Sequence, residues 1–239
     1  MNPLFGCIMN ISPTEKMKYC QFPKLIIFRC VYYYLRYPLS YRDAEEIMED
    51  RGVNVDHSTV QDWVVKYTEL FEKHVHKKKK KTGKSWRMDE TYIKVAGQWK
   101  YLYRAVDKDG NTIDFLLTAK RDAKAAKRFL QRAIKNNGLP EKITIDGSSA
   151  NKAAIKEINE DLKKDKKEEI EIRTKKYLNN IVEQDHRGIK KIYSTMRGFK
   201  DFHSAQKTLR GIEVVRMIKK GQITDSSKIP FHTFCALAA

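Results

Sequence analysis

Residues 85–118 read SWRMDETYIKVAGQWKYLYRAVDKDGNTIDFLLT, a stretch rich in Trp, Tyr, Ile and Val that turn residues interrupt twice. The Ala96-Gly97 pair predicts a tight hairpin. The second interruption, Asp107-Lys-Asp-Gly-Asn111, predicts another turn. The segment therefore predicts a meander of three antiparallel strands, at 85–95, 98–107 and 112–118.

Downstream of the meander, helical and strand periodicities alternate. The predicted elements are a helix at 122–136, a strand at 142–146, a helix at 149–162, a strand at 169–173 and a last helix that begins near 177. A three-strand meander followed by alternating helices and strands predicts an α/β fold, a mixed sheet with helices on its faces.

Upstream of the meander, the sequence predicts three helices. Apolar spacing indicates a helix at 24–34, and Ser40 with Asp43 forms the capping-box pattern that opens a second helix. Ser58 with Gln61 repeats this pattern at the start of a third helix. The second and third helices are separated by a glycine-containing turn.

This pair of capped helices predicts a helix-turn-helix unit at about 39–72, whose second helix would offer its first polar residues to the major groove of DNA. A purely structural helical hairpin has the same pattern and stays as the alternative. The net charge favours DNA binding. The candidate DNA-binding residues of this unit are His57, Thr59, Gln61 and Lys66.

A run of five lysines follows these helices, comprising Lys77, Lys78, Lys79, Lys80 and Lys81. Apolar periodicity stops there, so we interpret 73–84 as a basic linker. The lysines either stay solvated or contact DNA phosphates, and the sequence favours neither reading. The predicted division of the chain is a helical region at 1–72, this linker, an α/β domain at 85–222 and a C-terminal tail at 223–239.

The charge balance indicates a polyanionic partner. Lys and Arg number 48 against 30 Asp and Glu, which gives a formal net charge of +18 and a pI near 9.6. Hydrophobic residues at 41% predict a packed core rather than disorder. No stretch is apolar enough to span a membrane and the first residues lack a secretory pattern, so we expect a soluble cytoplasmic protein with no membrane partner. Cysteines at 7, 20, 30 and 235 show neither disulfide nor zinc spacing.

Three acids occupy positions that suit a catalytic site. Asp89 lies within a predicted strand, where a charge is costly unless a cation compensates it. Asp146 ends the fourth predicted strand, and Glu183 lies in the last predicted helix. Plainer readings exist, because Asp146 suits a turn and Glu183 has Arg187 at ion-pair spacing. Glu90 should point to the opposite face of the sheet from Asp89 and is the weaker candidate.

Four segments resemble the DDE transposases of bacterial insertion sequences, in particular the insertion sequence 6 family. They are MDETYIKVAGQWKYLYRAVD (88–107), ITIDGSSAN (143–151), KYLNNIVEQDHRGIKK (176–191) and GFKDFHSAQKTLRGIEVVRMIKKGQ (198–222). The resemblance runs from about Leu39 to Gln222. It implies a ribonuclease-H-like, integrase-type catalytic domain behind a helix-turn-helix, with Asp89, Asp146 and Glu183 as the catalytic, metal-binding acids. The gap between the last two slightly exceeds the usual one, and we attribute the excess to the charged stretch 161–171.

The resemblance also implies a chemistry. Two Mg²⁺ or Mn²⁺ ions, with Asp89 as the bridging ligand, would neutralise the attacking and leaving oxygens during DNA cleavage and strand transfer. Lys190 lies on the helical face of Glu183, at a position where DDE enzymes carry a basic residue that holds DNA. A solvated lysine on a basic helix is the plainer alternative for Lys190. His186 and Arg187 share that face and are further candidate phosphate contacts, although for His186 a role behind the metal ligands, or that of a polar surface residue, is an equal alternative.

The expected partners are double-stranded DNA, as insertion-sequence ends with their terminal inverted repeats and as target, and a second copy of the chain. We expect these complexes at the nucleoid. One alternative is a helix-turn-helix DNA-binding regulator whose second domain is not catalytic. Another is a structure-specific or RNA-hybrid nuclease, which keeps the fold and the metals but has no need of a sequence-reading helix pair.

Overall fold

The sheet of the protein is the predicted mixed sheet. The computed structural model describes residues 22–174, 176–196 and 198–238, and in them five strands pair in the order β3-β2-β1-β4-β5. Strand β2 pairs antiparallel with both β1 and β3, whereas β4 runs parallel to β1 and β5 parallel to β4. The strands are β1 Ser85–Val95, β2 Gln98–Asp107, β3 Thr112–Thr118, β4 Lys142–Thr144 and β5 Glu171–Arg173. The α/β prediction is confirmed, with β4 and β5 shorter than expected.

The first hairpin fixes the register of the meander. Ala96 and Gly97 both have positive φ, 49° and 76°, as a two-residue turn with the twist of the flanking strands requires. Val95 therefore pairs with Gln98, and Asp89 pairs with Arg104 further along the ladder. This register brings Asp89 and Arg104 to the centre of the sheet.

Eight helices surround the sheet in the described part of the chain. They are α1 Lys24–Arg36, α2 Tyr41–Glu49, α3 His57–Lys78, α4 Ala123–Asn137, α5 Ser149–Lys164, α6 Asn180–Thr195, α7 Phe202–Lys219 and α8 Pro230–Ala236. A single 3₁₀ turn, Lys176–Asn179, precedes α6. Helices α4 and α5 cover one face of the sheet, where Trp86, Met88 and Tyr103 pack against Phe129 and Ile155.

The opposite face of the sheet shares one core with the N-terminal helices. Ile93 and Leu102 belong to the same buried cluster as Phe28 of α1, Phe71 of α3 and Phe234 of α8. Helix α3 also packs along α7. The described part of the predicted 1–72 region thus has no separate core of its own, while its residues before 22, with Cys7 and Cys20, lie outside the described residues.

Two helices that the sequence did not predict complete this second layer. Helix α7 is buried on nearly every side, so its apolar residues do not form the single stripe that marks an amphipathic helix. Helix α8 has only seven residues, too few for a periodic pattern, and it lies in the predicted tail. Glu183 is therefore not in the last helix. Gly211 of α7 allows close packing, because a Cβ there would come within 2.7 Å of a Leu35 methyl group.

The third helix differs from its prediction at both ends. Its N-cap is Asp56, whose Oδ1 accepts a hydrogen bond from the Ser58 backbone at 2.7 Å, so the predicted Ser58 capping box is wrong. The Ser40–Asp43 capping box of α2 is confirmed, with both reciprocal bonds present. Helix α3 continues to Lys78, and its last six residues belong to the stretch that we interpreted as a linker.

The described residues contain neither a membrane-spanning helix nor a disulfide bond. No helix in residues 22–174, 176–196 and 198–238 is long and apolar enough to cross a bilayer. Cys30 and Cys235 are buried as free thiols, and burial raises the pKa of each to about 12.

Candidate active site

Asp89 occupies the centre of the sheet and faces α6. Its side chain is 15% exposed, and its Oδ2 lies 3.4 Å from Nδ1 of His186. Burial, together with the negative charges of Glu90, Asp146 and Glu183, raises the pKa of Asp89 from 3.8 to about 7. Asp146 and Glu183 therefore act electrostatically on the same carboxylate, although they come from different elements of the fold.

Glu90 points away from this site, as the strand alternation predicts. Its buried carboxylate forms an ion pair with Arg121 and accepts a 3.0 Å hydrogen bond from Nδ2 of Asn151. Because Glu90 is already neutralised and bonded, it has no need of a metal ion.

Asp146 reaches the site through the register of β4. Thr144 pairs with Arg87 of β1, so Asp146 and Asp89 each lie two residues beyond the same paired level of neighbouring parallel strands. Asp146 is exposed, and its Oδ1 accepts a 3.0 Å hydrogen bond from the Ser148 backbone. Asp146 is thus a turn residue that also faces Asp89, and the two readings of the sequence are compatible.

Glu183 enters from the first turn of α6. The side chain of Asn179, the N-cap residue, is buried and donates a 3.4 Å hydrogen bond to the carbonyl of Met88, the residue before Asp89. This bond ties the start of the helix to β1. Glu183 is exposed, and no cation of the described residues lies within ion-pair distance of it, so the alternative pairing with Arg187 does not form.

The three carboxylates suit a hard divalent cation. They supply only oxygen donors, the preference of Mg²⁺ and Mn²⁺. The raised pKa of Asp89 reflects uncompensated negative charge, which a cation would relieve. Among the described residues, a different group has its ligand atoms within 4.8 Å of one another. This group consists of Glu45, Asp56 and His57, at the start of α3 and on α2.

His186 is buried beside Asp89 rather than exposed on the helix surface. Burial and the charge of Arg104 lower the pKa of His186 to about 3, so its imidazole is neutral at physiological pH. The predicted phosphate contact for His186 is wrong, because the helix face that carries it packs on the sheet. Arg187 and Lys190 are exposed, and their predicted DNA contacts stay predictions.

A buried network of ion pairs, which the sequence did not predict, connects α6 to β2 and α7. Arg104 of β2 is fully buried; its Nε lies 3.0 Å from Glu213 of α7, and its Nη2 is 2.5 Å from Asp185 of α6. Asp185 also contacts Arg216 of α7 and Lys220, the residue that follows α7, the latter at 2.7 Å. These three cations hold the pKa of Asp185 well below its ordinary range.

The network fixes the helix that carries Glu183. It connects β2, α6 and α7 through residues one turn or less from the site. The sequence carries one indication of this network, because Glu213 lies between the apolar residues Ile212 and Val214. A charge within an apolar run is typical of a buried ion pair. Gly188 is part of the arrangement, since a Cβ there would lie 1.9 Å from Nη1 of Arg216.

The helix-turn-helix candidates lie at the start of α3. Nδ1 of His57 is 3.1 Å from Glu45 and 3.4 Å from Asp56, so this side chain is held by acids of the protein itself. Thr59 and Gln61 are half-buried, and Lys66 is exposed. DNA contacts by these residues stay predictions.

The lysine run is not a free chain. Nζ of Lys79 donates to the Ile113 carbonyl at 2.6 Å and to Asn137 at 2.7 Å, and burial lowers the pKa of Lys79 to about 8. Nζ of Lys80 donates to the Gly221 carbonyl at 2.8 Å. The reading of all five lysines as solvated or phosphate-bound is therefore wrong for Lys79, while Lys77, Lys78, Lys80 and Lys81 are exposed and their DNA contacts stay predictions.

Comparison with known proteins shows the family of the chain. A family model described as a DDE domain matches residues 83–222. The transposase for insertion sequence-like element IS431mec of Staphylococcus aureus is 44% identical over 203 residues, which cover 85% of this chain and 88% of the relative. The transposase for insertion sequence element IS257 in transposon Tn4003, also from Staphylococcus aureus, matches with the same identity and coverage.

Solved structures with a similar chain trace include retroviral integrase cores. The catalytic core domain of BIV integrase has a TM-score of 0.43 at 15% identity, covering 64% of this chain and 95% of that one. The trimeric form of the HTLV-2 integrase catalytic core domain, in complex with magnesium, has a TM-score of 0.37 at 16% identity, covering 66% of this chain and 83% of that one.

A mixed five-stranded sheet whose residues are matched by a DDE domain model defines a DDE-type polynucleotidyl transferase. The chain belongs to the DDE transposases of bacterial insertion sequences, as a member of the insertion sequence 6 family. Membership implies transposition as the activity and DNA as the substrate.

Proposed function

We propose that the protein binds the terminal inverted repeats of an insertion sequence and catalyses metal-dependent DNA cleavage and strand transfer, with Asp89, Asp146 and Glu183 as the catalytic acids. What supports this proposal is the register that brings Asp146 level with Asp89 on neighbouring parallel strands, together with the bond from Asn179 to β1 that holds the start of α6, with Glu183, against the sheet. The raised pKa of Asp89 supports it, because the cluster lacks a compensating positive charge.

In this mechanism each acid has a distinct role. Asp89 would be the ligand shared by two Mg²⁺ or Mn²⁺ ions, and Asp146 and Glu183 would each complete the coordination of one of them. The ions would supply charge neutralisation on the attacking and leaving oxygens of the phosphodiester. Because the pKa of Asp89 is raised in the free protein, its proton must leave before it can serve as a ligand.

The remaining residues position these acids and the DNA. The neutral imidazole of His186 lies against Asp89 and orients its carboxylate, an arrangement typical beside metal ligands. Arg187 and Lys190, exposed on the face of Glu183, would hold the DNA backbone near the acids. Thr59, Gln61 and Lys66, at the start of α3, would read the terminal repeat. The working assembly is a homodimer on double-stranded DNA, in the cytoplasm at the nucleoid.

Strand transfer of a labelled insertion-sequence end, with Mg²⁺ as the cofactor, tests the proposal. We expect Asp89→Asn, Asp146→Asn and Glu183→Gln each to abolish transfer and to leave specific DNA binding in place. Glu168→Gln, an exposed acid in the loop between α5 and β5, is the matched control and should keep wild-type rates. A triad variant with wild-type transfer would remove that residue from the mechanism. Specific binding without transfer by the wild type would favour the regulator alternative.

A further inference from the structure

A cavity of about 540 Å³ lies between the end of α1, the middle of α6 and the end of α7. Cations line it from all three helices, and no acidic side chain does. The cationic lining residues are Arg36, Lys191, Arg216, Lys219 and Lys220. This cavity, called the basic cavity below, lies one to two turns along α6 from Glu183.

Only two of the five cations form ion pairs with the described part of the protein. Arg216 and Lys220 bind Asp185 in the buried network. Arg36, Lys191 and Lys219 have no carboxylate within ion-pair distance among the described residues. Burial and repulsion by the neighbouring cations lower the pKa of Lys219, so these groups interact unfavourably with one another in the free protein.

A concave site lined by charges of one sign concentrates ions of the opposite sign. Guanidinium and ammonium groups together are the usual ligands of phosphate oxygens. A bound phosphate group would neutralise the three cations that have no carboxylate partner in the described chain. The chemistry of the lining therefore indicates an anion with phosphate oxygens.

The position of the basic cavity indicates where that phosphate comes from. Glu183, Arg187 and Lys191 follow one another at i, i+4 and i+8 on α6, so they form one ridge along the helix. The ridge is about 12 Å long. It leads from the candidate catalytic acids, past an exposed arginine, to the basic cavity.

We propose that the basic cavity binds backbone phosphates of the DNA strand that the catalytic acids process. The strand follows the Glu183–Arg187–Lys191 ridge and is held at its far end by Lys191, Lys219 and Arg36. This inference rests on the proposed function, because it takes DNA at the acids as given. Contacts to phosphate carry no sequence information, so the cavity adds affinity and direction rather than recognition.

The salt dependence of DNA binding tests this. The double variant Lys191→Gln/Lys219→Gln removes two cavity charges, and Lys135→Gln/Lys156→Gln removes two exposed charges from α4 and α5 on the opposite face of the sheet. We expect the slope of log affinity against log salt to flatten by about 0.9 for each phosphate that the protein no longer neutralises, so by up to roughly 1.8 in the cavity variant and not in the control. Lys191→Arg/Lys219→Arg should keep the wild-type slope. Equal slopes for the cavity variant and its control would overturn the proposal.

Thermal unfolding with inorganic phosphate distinguishes a DNA strand from a free anion. If phosphate raises the midpoint of the wild type but not of the cavity variant, while the salt slopes of cavity variant and control agree, the site holds a small anion and the DNA assignment is wrong. Without DNA or phosphate, the cavity variant should melt at or above the wild-type temperature, since like-charge repulsion is relieved. These are binding and stability measurements, so they stand whether or not the triad variants abolish strand transfer.

Discussion

Replacing Asp89 with asparagine should stabilise the metal-free protein at alkaline pH while it abolishes strand transfer. Asparagine has nearly the same shape as aspartate but carries no charge in a site where burial and three other carboxylates oppose charge. In the wild-type protein the ionised form of Asp89 is therefore destabilised by burial and by repulsion from these carboxylates.

The size of this effect follows from the pKa of Asp89. A native pKa of about 7 against 3.8 in the unfolded chain means that the native state binds the proton more tightly. The tighter proton binding adds about 4 kcal/mol to the free energy of unfolding below about pH 4. This contribution is lost as the pH rises through about 7. The asparagine variant does not suffer the loss. Its advantage over the wild type should grow by roughly 2–3 kcal/mol between about pH 5 and pH 8.

Urea unfolding with a chelator present, at several pH values, measures the advantage directly. His186 titrates with the opposite sign, since its native pKa of about 3 lies below its ordinary 6.5, but it does so in both proteins. Addition of Mg²⁺ should stabilise the wild type by about 2.7 kcal/mol at a hundred times its dissociation constant, and the variant much less. A pH-independent difference, or a variant less stable than wild type at about pH 8, would refute the reasoning.

Three further outcomes are expected. Asp185→Asn should lower the free energy of unfolding by about 3–5 kcal/mol, because Arg104 and its neighbours lose a buried counter-charge, and urea titration would show it. Lys79→Gln should destabilise the fold and Lys81→Gln should instead flatten the salt slope of DNA binding, so a reversed pattern would contradict the assignments. Gln61→Ala should reduce discrimination between the correct and a scrambled terminal repeat by about 1–3 kcal/mol in competition binding, and unchanged discrimination would exclude base contact.

The sheet meander was predictable because its signals are local. Alternation and paired turn residues fix the strands and the first hairpin, and the predicted bounds of β1, β2 and β3 match the structure. Asp89 was identifiable for a related reason, since a charge inside a buried strand has few structural explanations, whereas Asp146 before a glycine also suited a turn and was singled out by its place at a strand end and by the family resemblance. The three acids come together only through the parallel pairing of β1 with β4 and the bond from Asn179 to β1, which no local pattern contains.

The features that escaped prediction depend on tertiary burial. Helix α7 lacks an amphipathic stripe because the sheet, α1 and α3 all contact it. Lys79 lies in a run whose neighbours are exposed, and only its position next to β3 and α4 draws its side chain inward. From the sequence, His186 belongs to a polar face of α6 that is expected to be exposed. In the structure that side chain is buried against the sheet.

The shared core of α1, α3, α8 and the sheet has a consequence for how such proteins can diversify. A DNA-reading domain joined to a catalytic domain by a flexible tether can be exchanged between relatives without damage to either. Here, removal of residues before 73 would strip Phe28 and Phe71 from the interior and leave an apolar wall on α7 and the sheet exposed to water. On the proposed role of α3, a change of terminal repeat therefore requires substitutions on the surface of α3, and a graft of its helices from a relative would have to bring the facing side of α7 with it.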